Sequence, residues 1–284
     1  MIGLKKRKIL TISIVFFLLL CSWVIYKNKA LEVTVYEIDC SKKPLLNGFT
    51  IVQISDFHNE QFGENQQKIL RKVSECKPDI IAITGDFIDC RRTNVEAAME
   101  FAGGAVKIAP VYYVPGNHEH WARREYELLC EKMEEAGVHL MDGVKEEIFY
   151  AGEKLICMGV KDPDFYNVKE IEGEKEVIES QIEMFDYSED NFTILLSHRP
   201  EVFDLYSKRQ LDMVLTGHAH GGQFRVPFIG GIAAPNQGLF PKYDAGMFVE
   251  NRTHMIVSRG IGNSIIPLRF NNPPEIVVVK LTAK

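Results

Sequence analysis

The sequence has few cysteines for its length and no cysteine pattern typical of a metal finger or a redox pair. Six cysteines stand among 284 residues, and no two of them are separated by only two residues. A zinc ribbon or a thioredoxin-like motif needs such a spacing, so neither is indicated. One cysteine lies in the apolar N-terminal run, and the remaining five cannot all pair within one chain. A disulfide-stapled scaffold is not expected at this size.

The chain also lacks an excess of basic charge. Its 33 Lys and Arg against 39 Asp and Glu give a net charge of −6. A dedicated nucleic-acid binder usually carries a basic patch, so nucleic acid is not an expected partner. The hydrophobic fraction of 46% and the charged fraction of 25% are ordinary for a globular protein. They exclude a disordered, collagen-like or low-complexity chain.

The N-terminus does contain a long apolar run. Residues 9–26 read ILTISIVFFLLLCSWVIY, and these 18 uncharged residues approach the length that crosses a bilayer. Four Lys or Arg at 5–8 precede the run. Because basic flanks stay in the cytoplasm, we predict a cytoplasmic tail at 1–8, an uncleaved signal anchor at 9–26 and a single-pass cell-membrane protein whose remainder is extracytoplasmic. A cleaved signal peptide is the alternative, although no clear small-residue cleavage site follows.

Beyond residue 31, short runs rich in Ile and Val alternate with amphipathic stretches. This alternation is typical of an α/β fold with buried strands. Strands are predicted at 49–55, 80–84, 111–114, 155–160, 192–197 and 213–216. Helices are predicted at 66–76, 95–108, 123–136, 174–185 and 201–207. The last third has no helix pattern, and its strand-like runs predict a second sheet made of late strands at 247–250, 254–258 and 276–281.

Five predicted strands end in polar residues that can bind a metal ion. The carboxyl ends of strands in an open α/β sheet meet at one crevice, so these residues are expected to converge. They are two carboxylates, one amide and four imidazoles: Asp56, Asp86, Asn117, His58, His198, His218 and His220. This mixture suits Mn, Fe or Zn better than Ca or Mg alone. Seven ligands exceed the need of one ion and would fill two adjacent sites if one carboxylate bridges them.

The ordered motifs resemble those of the calcineurin-like metallophosphoesterases. They are D-F-H at 56–58, G-D-F-I-D at 85–89, G-N-H-E at 116–119, a histidine at 198 and G-H-A-H at 217–220. Further similarity, in G-G-Q at 221–223 and S-R-G at 258–260, is to a bacterial, often membrane-associated branch that includes phosphodiesterases related to UDP-diacylglucosamine pyrophosphohydrolases.

The resemblance implies a four-layer α/β/β/α sandwich, in which two facing mixed sheets are flanked by helices. On this basis, we assign residues 49–284 to the metallophosphoesterase domain and residues 27–48 to a linker and first strand. The apolar run at 9–26 would precede them as a transmembrane helix.

The resemblance also implies a ligand set for each of two divalent ions. One ion would be bound by Asp56, His58, Asp86 and His220. The other would be bound by Asp86, Asn117, His198 and His218. Asp86 would bridge the ions, which would lie about 3.5–4 Å apart, orient a phosphate and acidify a bridging water. The hydroxide so formed would attack phosphorus in line with the leaving oxygen.

Proton transfer and phosphate binding are implied for residues beside these ligands. His118 would donate a proton to the leaving oxygen, and Asp89 would hydrogen-bond His118 to keep it oriented. A capping or turn role is the alternative for Asp89. Cys90 stands where the protein phosphatases of this superfamily have a phosphate-gripping Arg. Arg259 is the candidate substitute, with a structural salt bridge as the alternative. His120 is a second candidate for the cleft, with a surface role as the alternative.

The leading interpretation is a membrane-anchored, metal-dependent phosphoesterase that hydrolyses a phosphodiester, pyrophosphate or phosphomonoester. The anchor brings the site near lipid head groups, which favours a lipid-linked substrate. A nuclease or nucleotide phosphodiesterase on the same scaffold is the alternative, and the acidic balance and the anchor disfavour it. A non-catalytic binding module is disfavoured because neither a ligand nor a predicted catalytic residue is missing.

Overall fold

The computed structural model describes residues 4–168, 170–263 and 267–283. Residues 1–3 of the predicted cytoplasmic tail, and residues 169, 264–266 and 284 of the predicted catalytic domain, lie outside these ranges. The helices are α1 Leu4–Lys29, α2 Gln67–Glu75, α3 Val95–Ala105, α4 Asn117–Trp121, α5 Arg123–Ala136, α6 Ile171–Glu183 and α7 Phe203–Lys208. The strands are β1 Glu32–Asp39, β2 Thr50–Ile54, β3 Ile80–Thr84, β4 Val111–Val114, β5 His139–Leu140, β6 Lys145–Tyr150, β7 Glu153–Gly159, β8 Phe192–Leu196, β9 Met213–Thr216, β10 Arg225–Val226, β11 Gly230–Gly231, β12 Ala233–Ala234, β13 Gly238–Leu239, β14 Gly246–Glu250, β15 Thr253–Val257 and β16 Glu275–Thr282.

Most strands belong to two six-stranded mixed sheets. The first sheet has the order β1-β16-β2-β3-β4-β5, and the second has the order β14-β15-β9-β8-β7-β6. Buried aliphatic side chains of both sheets, such as Ile51 and Leu215, pack into one core between them. Helices α2, α3 and α5 cover the outer face of the first sheet, and α6 and α7 cover the second. The predicted four-layer α/β/β/α sandwich is therefore confirmed.

The expectation that the late strands form a sheet of their own is wrong. β14 and β15 extend the second sheet beside β9, whereas β16 lies within the first sheet between β1 and β2. The reason is the alternation of side chains along β16. Ile276 and Val278 pack beneath the helices of the first sheet, while Val277 and Val279 pack between the sheets. A strand that is apolar on both faces is buried most fully in a sheet interior.

Helix α1 is long and apolar enough to be a candidate membrane span. The segment Lys8–Lys29 has 22 residues, and its most apolar stretch has a mean hydropathy of 2.5 and no fully buried residue. At about 1.5 Å per residue it is about 33 Å long, enough to cross the hydrocarbon core of a bilayer. β1 begins at Glu32, so only two residues connect α1 to the first sheet.

The core between the sheets gives a direct test of the packing. Leu215 on β9 is fully buried there. The substitution Leu215→Ala is expected to lower the free energy of unfolding by about 2–5 kcal/mol, because it removes apolar contacts and leaves a cavity. The measurement is urea unfolding of the detergent-solubilised chain, followed by circular dichroism. Leu128→Ala on α5 is the matched control, because Leu128 is 44% exposed. Equal losses in the two variants would contradict this packing.

Candidate metal centre

The seven predicted ligands all follow strand ends at the same edge of the sandwich. β2, β3 and β4 of the first sheet precede Asp56, Asp86 and Asn117 by two or three residues, and β8 and β9 of the second sheet precede His198 and His218. All seven side chains are buried. The ligands therefore come from both sheets and meet where the two sheets face each other.

Tight turns aim these side chains back toward one another. Five of the ligands have a left-handed backbone with φ between 46° and 65°, which non-glycine residues adopt at a cost: Asp56, His58, Asp86, His218 and His220. Glycines allow the turns to approach closely. A Cβ on Gly217 would overlap the carboxylate of Asp56, and a Cβ on Gly116 would overlap that of Asp86.

The first ligand group comprises Asp56, His58, Asp86 and His220, whose ligand atoms lie within 4.8 Å of one another. His58 Nε2 is 3.3 Å from His220 Nε2 and 3.5 Å from Asp86 Oδ2. His220 Nε2 is 3.4 Å from Asp56 Oδ1. Burial lowers the pKa of both imidazoles to about 3, and this outweighs the neighbouring carboxylates. Both rings are therefore neutral near pH 7, the form in which histidine binds a metal.

The second group comprises Asp86, His198 and His218, and Asp86 is thus shared with the first. His198 Nε2 is 3.4 Å from Asp86 Oδ2. His198 Nδ1 is 2.8 Å from the carbonyl oxygen of Thr84, and donation to that oxygen aims Nε2 at the centre. Asn117 lines the same 360 Å³ cavity as Asp86 and His218.

Two orphaned atoms show that the residues fit a metal. His198 Nε2 and Asn117 Oδ1 are buried, and within the described part of the chain neither has a hydrogen-bond partner. Such atoms are rare in native proteins. A divalent ion in the second group would bind both of them, and the shared carboxylate of Asp86 would join it to an ion in the first group.

Comparison with known proteins agrees with this geometry. Residues 49–222 match the family described as calcineurin-like phosphoesterase. The chain belongs to this family. The metal-ligand groups and the family together make it a metal-dependent phosphoester hydrolase, as the sequence predicted.

Curated relatives support the same assignment. The phosphoesterase is 30% identical over 268 residues to the uncharacterized metallophosphoesterase YkuE of Bacillus subtilis (strain 168), covering 88% of this chain and 85% of the relative. It is 26% identical to the phosphodiesterase YaeI of Escherichia coli (strain K12), with 82% of each chain covered. It is 26% identical to a Danio rerio transmembrane protein with metallophosphoesterase domain, covering 86% of this chain and 56% of the relative. The transmembrane relative and α1 together indicate that the phosphoesterase is a membrane protein.

Glu119 fixes the loops that carry two ligands of the phosphoesterase. Its Oε2 accepts hydrogen bonds from the N–H groups of Asp86 at 2.9 Å and Gly116 at 2.7 Å, and its Oε1 accepts one from Ile88 at 2.9 Å. Burial, together with the charge of Asp86, raises the pKa of Glu119 to about 8. Glu119 stands in the G-N-H-E motif, but no role could be assigned to it from the sequence. The position of Glu119 in the motif is the signal that could have indicated a role.

Arg199 is a second functional residue that the sequence does not reveal. Its buried guanidinium donates to Asp162 at 2.6 and 2.7 Å and to Asp164 at 2.9 Å. Its Nη1 lies 3.3 Å from His218 Nε2. The carboxylates hold the guanidinium in place, so Arg199 restrains the ring of His218. The only signal in the sequence is that Arg199 directly follows His198.

His118 faces the metal centre, but its orienting hydrogen bond differs from the expected one. His118 Nε2 is 4.0 Å from Asp86 Oδ2, and Nδ1 accepts the backbone N–H of Cys90 at 3.2 Å. Asp89 has an oxygen within 4.8 Å of a ring nitrogen of His118, but it accepts its hydrogen bond from the N–H of Arg91 at 2.7 Å. The Cys90 N–H occupies Nδ1, so Nε2 is the ring nitrogen left to donate a proton. The expected hydrogen bond between Asp89 and His118 is not formed among the described residues.

The two substrate-binding candidates lie in different surroundings. The Arg259 guanidinium pairs with Glu275 at 3.0 Å and Glu32 at 3.3 Å, the salt-bridge arrangement that the sequence left open. His120 packs against Phe165 with ring centroids 5.2 Å apart. Contact of Arg259 or His120 with substrate stays a prediction.

The shared carboxylate should control metal content. The backbone N–H of His118 donates to Asp86 Oδ1 at 2.9 Å. Asp86→Asn keeps an oxygen that can accept this hydrogen bond, but it removes the negative charge that the two ligand groups share. We expect the reconstituted protein to fall from two ions per chain to less than one, measured by plasma mass spectrometry after dialysis. Asp56→Asn should lose one ion, and the exposed Asp190→Asn control should keep both. A single tight site in the unmodified protein would contradict the dinuclear assignment.

Proposed function

We propose that this phosphoesterase is a two-metal hydrolase of a phosphodiester, pyrophosphate or phosphomonoester in a lipid-linked substrate. The observation that carries the proposal is the division of the buried ligands into two groups that share Asp86. The name of the E. coli relative, a phosphodiesterase, supports the diester. Cys90, in place of the phosphate-gripping Arg, argues against a protein phosphatase.

The donor set favours Mn, Fe or Zn, since imidazole nitrogens and carboxylate oxygens contribute together. Two bound ions would supply Lewis acidity and would lower the pKa of a bound water. The residues of the chain perform the remaining tasks. Asp86 and the histidines hold the ions in place, and Arg199 and Glu119 restrain the ligands.

His118 is placed to assist the leaving group. Its Nδ1 is occupied by the Cys90 N–H, so Nε2 is the atom that can donate a proton. That atom points toward Asp86 at the metal centre. His118 also lines the 360 Å³ cavity with Asn117 and His218. A phosphate in this cavity would have its leaving oxygen within reach of the imidazole.

The test of this role compares two leaving groups. His118→Asn should slow hydrolysis of a diester with an alkyl leaving group by about 10²–10⁴-fold, because an alkoxide needs the proton. The loss for bis(p-nitrophenyl) phosphate should be much smaller, because p-nitrophenolate leaves without help. Both rates are measured with Mn, Fe and Zn supplied separately, and metal content is checked in the same samples. Equal slowing of both substrates would contradict the acid role, and loss of metal would contradict the ligand assignment.

The catalytic domain is proposed to lie outside the cytoplasm. Four Lys or Arg at 5–8 precede the apolar helix, and only Lys27 and Lys29 follow at its far end. The more basic flank stays inside. The names of the YkuE and YaeI relatives give a family and a reaction, but they give no side of the membrane.

Reporter fusions decide the topology. A C-terminal reporter that is active only in the cytoplasm should stay silent, and alkaline phosphatase at the same position should be active. The control is the same fusion without residues 1–26, in which the cytoplasmic reporter should become active. A strong cytoplasmic signal from the full chain would overturn the proposed orientation.

A further inference from the structure

The end of α1 is bound to the catalytic domain. Asn28 Nδ2 donates to the carbonyl of Arg269 at 2.8 Å, and Asn28 Oδ1 accepts the Arg269 N–H at 2.7 Å. Trp23 packs edge-on against Phe270, with ring centroids 5.9 Å apart. The helix and the segment around Arg269 therefore form a continuous surface.

Charge contacts and a short connection complete this junction. Lys29 pairs with Glu60, and Lys27 pairs with Glu32 at 3.0 Å. The two residues between Lys29 and Glu32 span at most about 10 Å when extended. The domain therefore cannot move far from the end of the helix. With α1 placed in a bilayer, the junction face lies at the membrane surface.

A polar cleft of about 550 Å³ leads from this junction to the metal centre. Ile25, Asn28 and Lys29 of α1 line one part of it, and His58 and Asp89 line another. His58, a candidate ligand of the first group, is therefore accessible through this cleft from the end of α1. We call this cavity the polar cleft.

An apolar groove of about 350 Å³ continues from the polar cleft along α1. It is lined by Leu20, Cys21, Val24, Ile25, Leu268 and Phe270. Ile25 and Leu268 also line the polar cleft, so the two cavities adjoin. Val24 is five residues before Lys29, which places it about 7.5 Å further into the bilayer. At that depth, the molecules that surround the groove are lipids.

A neighbouring hairpin is apolar at its tip. Phe228 is fully exposed and Ile229 is 61% exposed, between β10 and β11. The N–H of Arg225 on β10 donates to the carbonyl of Phe270 at 3.0 Å, so the hairpin lies beside the groove. Exposed aromatic and aliphatic side chains next to a membrane helix fit contact with a lipid surface.

Arg92 supplies charge in the polar cleft. It lines the cleft with Asp89 and His58. Its side chain is exposed, and no carboxylate of the described residues forms an ion pair with it. The adjacent Arg91 does not line the cleft. Arg92 is therefore positioned for an anionic head group, in a chain where Cys90 replaces the usual phosphate-gripping Arg.

We infer that the substrate is a phosphodiester lipid that enters sideways from the membrane, with an acyl chain in the apolar groove and with Arg92 in the polar cleft contacting its anionic head group before the phosphate reaches the metal centre. The inference rests on the proposed hydrolase. The gradient from an apolar groove to a charged cleft fits a lipid, which has both an apolar and an anionic part, better than a water-soluble diester.

The test compares a lipid with its bare head group. The assay follows hydrolysis of bis(p-nitrophenyl) phosphate by the full chain in maltoside detergent, with dioctanoyl phosphatidylglycerol or glycerophosphoglycerol added as competitor. The lipid should compete at a concentration at least about tenfold lower, because burying a few CH₂ groups is enough for that difference. Equal potency of the two competitors would overturn the inference.

A matched pair of helix variants separates the groove from partition into the micelle. Val24→Trp fills the groove and should reduce the lipid advantage at least about tenfold. Leu19→Trp is the control, since Leu19 is 64% exposed and lies on the opposite face of α1. It should change the advantage less than twofold. The same effect in both variants would contradict a specific groove.

A second matched pair of variants tests the contact with the head group. Arg92→Ala should weaken competition by dioctanoyl phosphatidylglycerol about tenfold, as expected for loss of one charged hydrogen bond, whereas Arg91→Ala should leave it unchanged. Equal effects of the two variants would remove Arg92 from the proposal.

A photolabel separates failure of the inference from failure of the proposed hydrolase. Phosphatidylglycerol with a diazirine in its acyl chain should label residues 267–270 of the full chain, and excess dioctanoyl phosphatidylglycerol should compete. Val24→Trp should reduce this labelling, and Leu19→Trp should not. Absence of diester turnover with such labelling would reject the hydrolase proposal alone. Turnover without the labelling would reject the lipid route alone.

Discussion

The carboxylate of Asp86 is the group on which the whole site depends. Its Oδ2 lies 3.4 Å from His198 Nε2 and 3.5 Å from His58 Nε2. Its Oδ1 accepts the backbone N–H of His118 at 2.9 Å. Its own N–H is held by Glu119. Although burial disfavours its charge, the surrounding imidazoles hold the pKa of Asp86 well below its usual range. One anion therefore sets the positions of ligands from both sheets, and the sandwich has to hold the two sheets in a fixed register around it.

The strand and helix boundaries were largely accessible from the sequence. The predictions 80–84, 111–114, 213–216 and 123–136 coincide with β3, β4, β9 and α5. These segments show a local pattern, either a run of buried apolar residues or a helical period. The position of β16 has no such local signal, because its neighbours β1 and β2 lie more than 220 residues earlier in the chain. To predict that Ile276 to Val279 alternate between two cores, one has to know which strands lie beside β16.

The convergence of the candidate metal ligands could be predicted, because motif order and strand-end position together indicate which side chains meet. The supporting residues could not. Glu119 acts through the N–H groups of Asp86 and Ile88, and Arg199 acts through Asp162 and Asp164. These contacts join positions more than 30 residues apart. The sequence around Glu119 or Arg199 therefore does not indicate which residues it contacts. The Cys90 N–H that orients His118 is likewise a backbone group, and the amino-acid type at that position does not reveal it.

The connection between α1 and the sheet links the fold to the choice of substrate. Two residues separate Lys29 from Glu32, and Asn28 is hydrogen-bonded to Arg269. A longer linker would allow the domain to reach soluble substrates at a distance from the bilayer, at a cost in orientation. On the proposed lipid route, the short, bound junction fixes the domain on the membrane, and the cleft to His58 then opens beside lipid head groups. An enzyme restricted in this way gains little from soluble substrates, and the anchor then contributes to specificity by limiting which molecules reach the metal centre.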